Sequence, residues 1–332
     1  MAAPILEVSD LRVSYRVDSS RIQAVRGVSF ELHEGETLAL VGESASGKTS
    51  VALAALGLLP PNATRESGEV RYRGRPLPLD DASALRKVRG SEISIIFQGA
   101  AAGLTPTLRI GDQVAEVFQT HLGLSHREAR ARAVETLGRF LPDPQAVADA
   151  FAFQLSGGMA QRVMIAMATA LEPKVIIADE PTANLDPAVR GTMMSFLENM
   201  RDSRGVSVLL ITHDFGIVAR LADRVAVMYA GELVETADVR ATFREPRHPY
   251  TYGLLQSLPD LNDSGRRLRV LDGQPPDLAE PPVECAFLAR CNKATLQCRT
   301  EPAPRLEPLA EGHMAACFNP IAVPLRDAAE SR

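Results

Sequence analysis

The chain has 332 residues, 45% hydrophobic and 23% charged, with a formal net charge of −5. This is ordinary globular composition, enough for one large domain and a small one, and the acidic balance argues against a nucleic-acid-binding surface. No apolar run approaches the ~20 residues that span a bilayer, and Met1–Glu7 lacks the basic flank and apolar core of a signal peptide, so the expectation is a cytosolic chain that meets membranes only through partners.

Residues 5–15 and 28–32, apolar and β-branched, predict strands. Thr37–Val41 predicts a short buried strand running into Gly42-Glu43-Ser44-Ala45-Ser46-Gly47-Lys48-Thr49. That segment fits the phosphate-loop pattern G-x-x-x-x-G-K-[ST]. Lys48–Leu59 predicts a helix stopped by Pro60-Pro61. Strand, glycine turn and helix are the context the pattern requires. Backbone N–H groups of such a loop form an anion nest, and the helix start adds the positive end of its dipole. Gly42, Ser44, Ser46 and Gly47 build the loop. Lys48 is expected to reach the β- and γ-phosphates of ATP, and Thr49 to give its hydroxyl to Mg²⁺. Tyr15, ahead of the loop, is a candidate to stack on adenine, with plain strand packing as the alternative.

Residues 69–72 and 93–97 predict further strands. Gln98 follows the second and is a candidate Mg²⁺ ligand or γ-phosphate sensor. From Ile110 to about Ala150 the pattern turns helical, and Ser125-His126-Arg127-Glu128 reads as a capping box. This stretch looks like a helical subdomain inserted into an α/β core. Helix 159–171, strand 175–179, helix 187–204, strand 207–212, helix 215–222 and strand 224–229 then alternate, which predicts a mainly parallel sheet. The apolar run 175–178 ends in Asp179-Glu180. A carboxylate closing a buried strand needs a partner, and Mg²⁺ supplies one for Asp179. Glu180, pointing another way, suits polarisation of an attacking water. His213, closing the run 208–212, is a candidate γ-phosphate contact.

Composition changes after about Leu261. Proline pairs stand at 275–276 and 281–282, further prolines at 302, 304 and 308, and every cysteine of the chain lies here: Cys285, Cys291, Cys298 and Cys317. The region reads as a small appended domain held by something other than a large apolar core. Two cytosolic disulfides are disfavoured. Four thiolates suit zinc, but the tight C-x₂₋₄-C pair of zinc sites is missing; they also suit an iron–sulfur cluster, and the spacing leaves both open. His313 precedes Cys317, but four thiolates need no fifth ligand.

Leu155-Ser156-Gly157-Gly158-Met159, together with the other motifs, makes residues 5–240 resemble the nucleotide-binding subunits of ABC transporters. The resemblance implies two subunits meeting head to tail, with Ser156, Gly157 and Gly158 completing the ATP site of the partner. It places Asp186 on the loop crossing that interface, Gln98 on the loop coupled to the membrane subunits, and Tyr15 as the adenine stacker. Arg247-His248-Pro249-Tyr250-Thr251-Tyr252-Gly253-Leu254-Leu255 and the cysteine tail narrow it to the ATPase subunits of dipeptide and oligopeptide importers. That family pairs two related ATPase subunits with two membrane permease subunits and an extracytoplasmic peptide-binding protein. It carries a [4Fe–4S] cluster on such cysteines.

The implied fold is an α/β P-loop ABC-type nucleotide-binding domain over 1–261, with the helical subdomain about 104–172. A small cysteine-containing domain follows over 262–332. The implied activity is ATP hydrolysis driving peptide import, at the cytoplasmic face of the membrane. Nickel chelates, glutathione and antimicrobial peptides are alternative cargoes. The chain departs from the family at Ala45 (usually Gly), at Gly99-Ala100-Ala101-Ala102-Gly103, at Phe151-Ala152-Phe153 and at Ala160 (usually Arg). The departures fall in coupling and trans-acting segments, which suggests an asymmetric heterodimer or a regulatory ATP-binding subunit. A soluble ATPase with the same head domain is the remaining class, but no coiled-coil arm or second ATPase domain is visible.

Overall fold

Alternating buried strands and amphipathic helices organise the computed structural model, which describes residues 3–99, 103–183, 187–258 and 271–322. The strands are β1 (Pro4–Val17), β2 (Ser20–His33), β3 (Thr37–Val41), β4 (Ala63–Tyr72), β5 (Arg75–Pro76), β6 (Ile93–Ile96), β7 (Val175–Asp179), β8 (Ser207–Thr212), β9 (Arg224–Tyr229), β10 (Glu232–Asp238), β11 (Glu307–Ala310) and β12 (His313–Ala315). The chain divides into two units, one of residues 1–6, 32–36 and 77–211, the other of residues 7–31, 37–76 and 212–332.

The first unit holds β6, β7 and nearly all of β8. β7 is central and pairs in parallel with both neighbours, from Ile93↔Val175 and Val175↔Ser207 onward. All five residues of β7 are buried, as expected for a parallel strand covered on both faces. Helices Ile110–Leu122, His126–Gly138, Pro144–Asp149 and Gly157–Thr169 form the inserted helical body. Val114, Phe118, Ala133, Leu137 and Val163 are at most 2% exposed in its core. The capping box is present: Ser125 Oγ accepts from Glu128 N, and Glu128 Oε2 accepts from Ser125 N.

The second unit has a sheet in the order β2-β1-β4-β5 and a run of strands in the order β11-β12-β10-β9-β3. β3 and β9 are parallel, whereas β9–β10, β10–β12 and β11–β12 are antiparallel. The last three strands were not anticipated. The signal of β11 and β12 is short, with Pro308 inside β11, and β12 lies at the edge of β10 (Glu235↔Ala315) instead of forming a sheet of its own. The tail also contributes to the core: Phe287, Leu271 and Leu278 pack with Val41, Val227, Tyr229 and Tyr250.

The helix after the phosphate loop is Lys48–Ala55, shorter than predicted. Gly57 at φ 60° ends it. Gly57 N donates to Ala54 O and Leu58 N to Leu53 O, the paired bonds of a Schellman cap, so the prolines are not what stops it. No helix among the described residues is long and apolar enough to cross a membrane.

Candidate nucleotide site and cysteine pocket

In the second unit, the fully buried β3 delivers the chain into the phosphate loop. Gly42 (φ 155°) and Gly47 (φ 103°) take backbone conformations that disfavour a side chain. A Cβ on Gly42 would lie 2.2 Å from Met228 O, and one on Gly47 2.2 Å from Ala24 O. Between them Ala45, the departure noted in the sequence, sits at φ 63° in the left-handed region. Lys48 is 6% exposed. Its ammonium donates to Gly42 O and Glu43 O at 2.8 Å and to Ser46 Oγ at 3.3 Å, inside the ring of the loop. The helix opens at Gly47 without a side-chain cap or an acidic residue in its first turn. Gly47, as N-cap, has no side chain to cover the first N–H groups, and the positive dipole end lies at the loop. Half-buried Tyr15 is tied to this helix by a 3.0 Å hydrogen bond between its hydroxyl and Ser50 Oγ. His213 is exposed, one residue before Asp214 caps helix Phe215–Leu221.

The other candidates lie in the first unit. Asp179 closes β7 and is 2% exposed. Glu180 is half-buried, at φ 46°, with its N–H donated to Ile211 O at 2.8 Å. A non-glycine residue held left-handed directly after a strand is the kind of strain that collects at functional sites. Gln98 is exposed, two residues beyond β6. Ser156 caps helix Gly157–Thr169 through a 3.3 Å bond from Met159 N, and both Ser156 and Gly157 are exposed. Nothing lies within 4 Å of a Cβ placed on Gly157, whereas one on Gly158 would meet Val189 at 2.9 Å. Ala160 is 2% exposed in the helical core, so this departure stands where an arginine would have to bury its charge. Asp186 and the alanines 100–102 lie outside the described residues.

All four cysteines line one small cavity of the second unit, with His248 and Phe287 among the other walls. Its free volume is about 10 Å³, room for roughly one water. The thiols are free, and burial raises Cys285, Cys291 and, to about 11, Cys317. Against that burial each sulfur receives a donor. The backbone N–H groups of Phe287, Lys293 and Asn319 favour the thiolates of Cys285, Cys291 and Cys317. Thr295 N and Oγ1 lie 3.5 and 3.3 Å from Cys298 Sγ. Among the described residues no three His, Cys, Asp or Glu side chains converge to hold a single metal ion.

His248 is 1% exposed, and burial pushes its ring down to about 4, so the ring is neutral. Nδ1 accepts from Tyr250 N at 3.1 Å, which puts the proton on Nε2. His313 is used elsewhere: its Nε2 lies 2.7 Å from Glu235 Oε1, and the same buried carboxylate accepts from Arg247 N and His248 N. Sequence reading missed Glu235, Tyr250 and the place of His248 at the cavity. Arg247 to Leu255 stood out as a family signature but carried no chemistry of its own.

Residues 25–183 match the ABC transporter family, and residues 234–298 match the C-terminal region of oligopeptide/dipeptide transporters. The chain is 46% identical over 316 residues to a peptide import ATP-binding protein of Brucella abortus, covering 95% of each. It is 44% identical to the oligopeptide transport ATP-binding protein OppD of Bacillus subtilis, over 87% of this chain and 82% of that one. The dipeptide transport ATP-binding protein DppD of the same organism is 41% identical, over 95% and 94%. Among solved structures, a dimeric ATP-binding cassette bound to ADP and phosphate after hydrolysis aligns with TM-score 0.62 and 28% identity, covering 71% of this chain and 99% of that one.

Proposed function

Since the chain belongs to the ATP-binding subunits of ABC transporters, in the oligopeptide/dipeptide importer family, we propose that it hydrolyses ATP to drive peptide import from the cytoplasmic face of the inner membrane. The observation that carries this reading is the phosphate loop, with Lys48 held inside its ring of carbonyls between a buried strand and an uncapped helix.

Each residue then has a task. Loop N–H groups and Lys48 neutralise the phosphates, and Tyr15 stacks on adenine. Thr49, Asp179 and Gln98 are hard oxygen donors of the type Mg²⁺ prefers, and the ion would supply charge neutralisation at the β- and γ-phosphates. Glu180 orients the attacking water and accepts its proton. His213 contacts the γ-phosphate. Ser156 and Gly157, exposed at a helix start, serve the ATP site of a second ATPase subunit. Asp186 belongs to the loop that crosses to it. We propose that this second subunit is a different chain, because the departures cluster in the trans-acting segment and in the loop after Gln98. Two membrane permeases and an extracytoplasmic binding protein complete the assembly, and cargo choice rests with them.

For the four cysteines of the tail we propose an inorganic group bound by thiolates. Their cavity offers four thiols, each already receiving a donor. A [4Fe–4S] cluster takes four thiolates, and this reading is supported by the four cysteines lining one cavity and by the match of residues 234–298 to the importer C-terminal region. Zinc would need sulfurs converging on one point. Cys285, Cys291, Cys298 and Cys317 would hold the cluster, in a cavity that now has room for roughly one water. When bound it would link four separate points of the tail.

Anaerobic purification with quantification of iron, sulfide and zinc, alongside ATPase assays of the assembled transporter, tests both parts. Stoichiometric iron and sulfide with ATP turnover support them. Zinc without iron removes the cluster, and absence of ATP binding removes the ATPase.

A further inference from the structure

The tail carries one arginine whose five N–H donors are all engaged. Arg290 Nη1 donates to Glu43 Oε2 at 2.7 Å and Nη2 to Glu43 Oε1 at 2.9 Å. Nη1 also reaches Tyr229 Oη at 3.3 Å, Nε reaches Asp272 O at 3.0 Å, and Nη2 reaches Leu271 O at 3.4 Å. The guanidinium lies over the rings of Tyr229 and Phe287, 5.7 and 5.8 Å from their centroids. Its side chain is 4% exposed and that of Glu43 28%, so this two-pronged pair is largely sheltered from solvent and not a fully exposed surface contact.

The partner is the second residue of the phosphate loop. Glu43 N donates to Tyr250 Oη at 2.8 Å, and Glu43 O accepts from Lys48 at 2.8 Å. The side chain and both backbone groups of one loop residue are therefore fixed. Yet a carboxylate in a loop built to bind phosphates has the wrong sign. Left unpaired, it would repel the ligand that the loop exists to hold.

We propose that Arg290 is a positioning residue of the ATP site. It neutralises Glu43 and holds the loop in its binding shape, which makes the C-terminal segment part of that site. The short turn Leu288–Arg290 runs straight into Cys291, a wall of the cysteine cavity. Whatever fixes that cavity therefore also fixes the arginine. The proposal rests on the ATP reading above and is independent of which group the cysteines hold.

The test measures ATP affinity of the full chain with a fluorescent ATP analogue, and thermal melting without nucleotide. Lys48→Ala serves as the non-binding control. Arg290→Gln is expected to raise the dissociation constant roughly tenfold or more, the scale of a lost charge-assisted hydrogen-bond pair. Arg290→Lys, which keeps the charge but not the fork, should fall between. The deciding variant is Glu43→Gln/Arg290→Gln: without the carboxylate, affinity should recover towards wild type. Wild-type affinity in Arg290→Gln overturns the proposal. So does a double variant that melts like wild type but binds as poorly as the single one, because the arginine would then be only a structural prop. A wild-type chain that binds no better than Lys48→Ala refutes the ATP reading instead.

Discussion

Ala45 gives the sharpest check on the geometry of the phosphate loop, because three neighbouring positions should respond oppositely to one methyl group. Ala45 is at φ 63°. The left-handed region costs an L-residue roughly 1–2 kcal/mol. Glycine avoids that cost but loses about 0.5–1 kcal/mol through the greater freedom of its unfolded chain. The balance predicts that Ala45→Gly stabilises the unit by up to about 1 kcal/mol, a rise in melting temperature of roughly 1–3 °C for a chain of this size. At Gly47 the sign reverses. Its φ is 103°, and an added Cβ would lie 2.2 Å from the backbone oxygen of Ala24, which cannot swing aside as a side-chain tip can. Gly47→Ala must displace the loop or β2, and ATP binding should fall by more than tenfold on the scale of a 1.4 kcal/mol loss. Gly42→Ala meets Met228 O at the same 2.2 Å and should behave alike. Differential scanning fluorimetry and ATP titration of the three variants suffice. A lowered melting temperature in Ala45→Gly, or full ATP affinity in Gly47→Ala, would refute the reasoning.

Four further outcomes are expected. Glu180→Gln should retain ATP and lose turnover by about 10²–10⁴-fold, the range of a general base; turnover near wild type in the assembled transporter would acquit Glu180. Tyr250→Phe removes the acceptor of Glu43 N–H, at a cost of about 1–3 kcal/mol for a donor left unsatisfied, read as a lower denaturation midpoint; an unchanged midpoint would mean that water replaces the hydroxyl. Burial raises the Glu232 carboxyl despite Arg26 3.5 Å away, so the folded state binds the proton more tightly and stability falls as pH rises through the window above 4.5. Glu232→Gln should therefore raise the melting temperature at pH 7.5 more than at pH 4, and equal shifts would count against the sign. Cys291→Ser should abolish bound iron and sulfide, and retention of both would remove this thiol from the ligand set.

What the sequence made legible was local. Phosphate loop, buried strands and capping box each depend on residues within about a dozen positions, so pattern and propensity carry them. The helix after the loop was overextended because Pro60-Pro61 is the louder stop, whereas Gly57 in a left-handed cap is the physical one. The edge strands β11 and β12 have no alternation to detect: β12 pairs with β10, and β11 with β12. Glu235 read as one more strand carboxylate, although it gathers Arg247, His248 and His313 in the interior.

The same contrast explains why the tail looked like an appendage. Cysteine clustering and proline content identify a region without a core of its own, and such a region invites the reading of a separate domain. Its anchors are instead long-range pairs that no local pattern encodes. Arg290 meets Glu43 across 247 positions, Arg26 donates to Pro282 O across 256, and Gln23 N donates to Leu278 O. Each joins the tail to the loop or to β2. A segment bound only by an inorganic group would be free to move as a body. One that also supplies the counter-charge of a phosphate-loop carboxylate cannot move without changing the site. Nucleotide affinity should therefore follow the integrity of the cysteine cavity, even though no cysteine belongs to the phosphate loop.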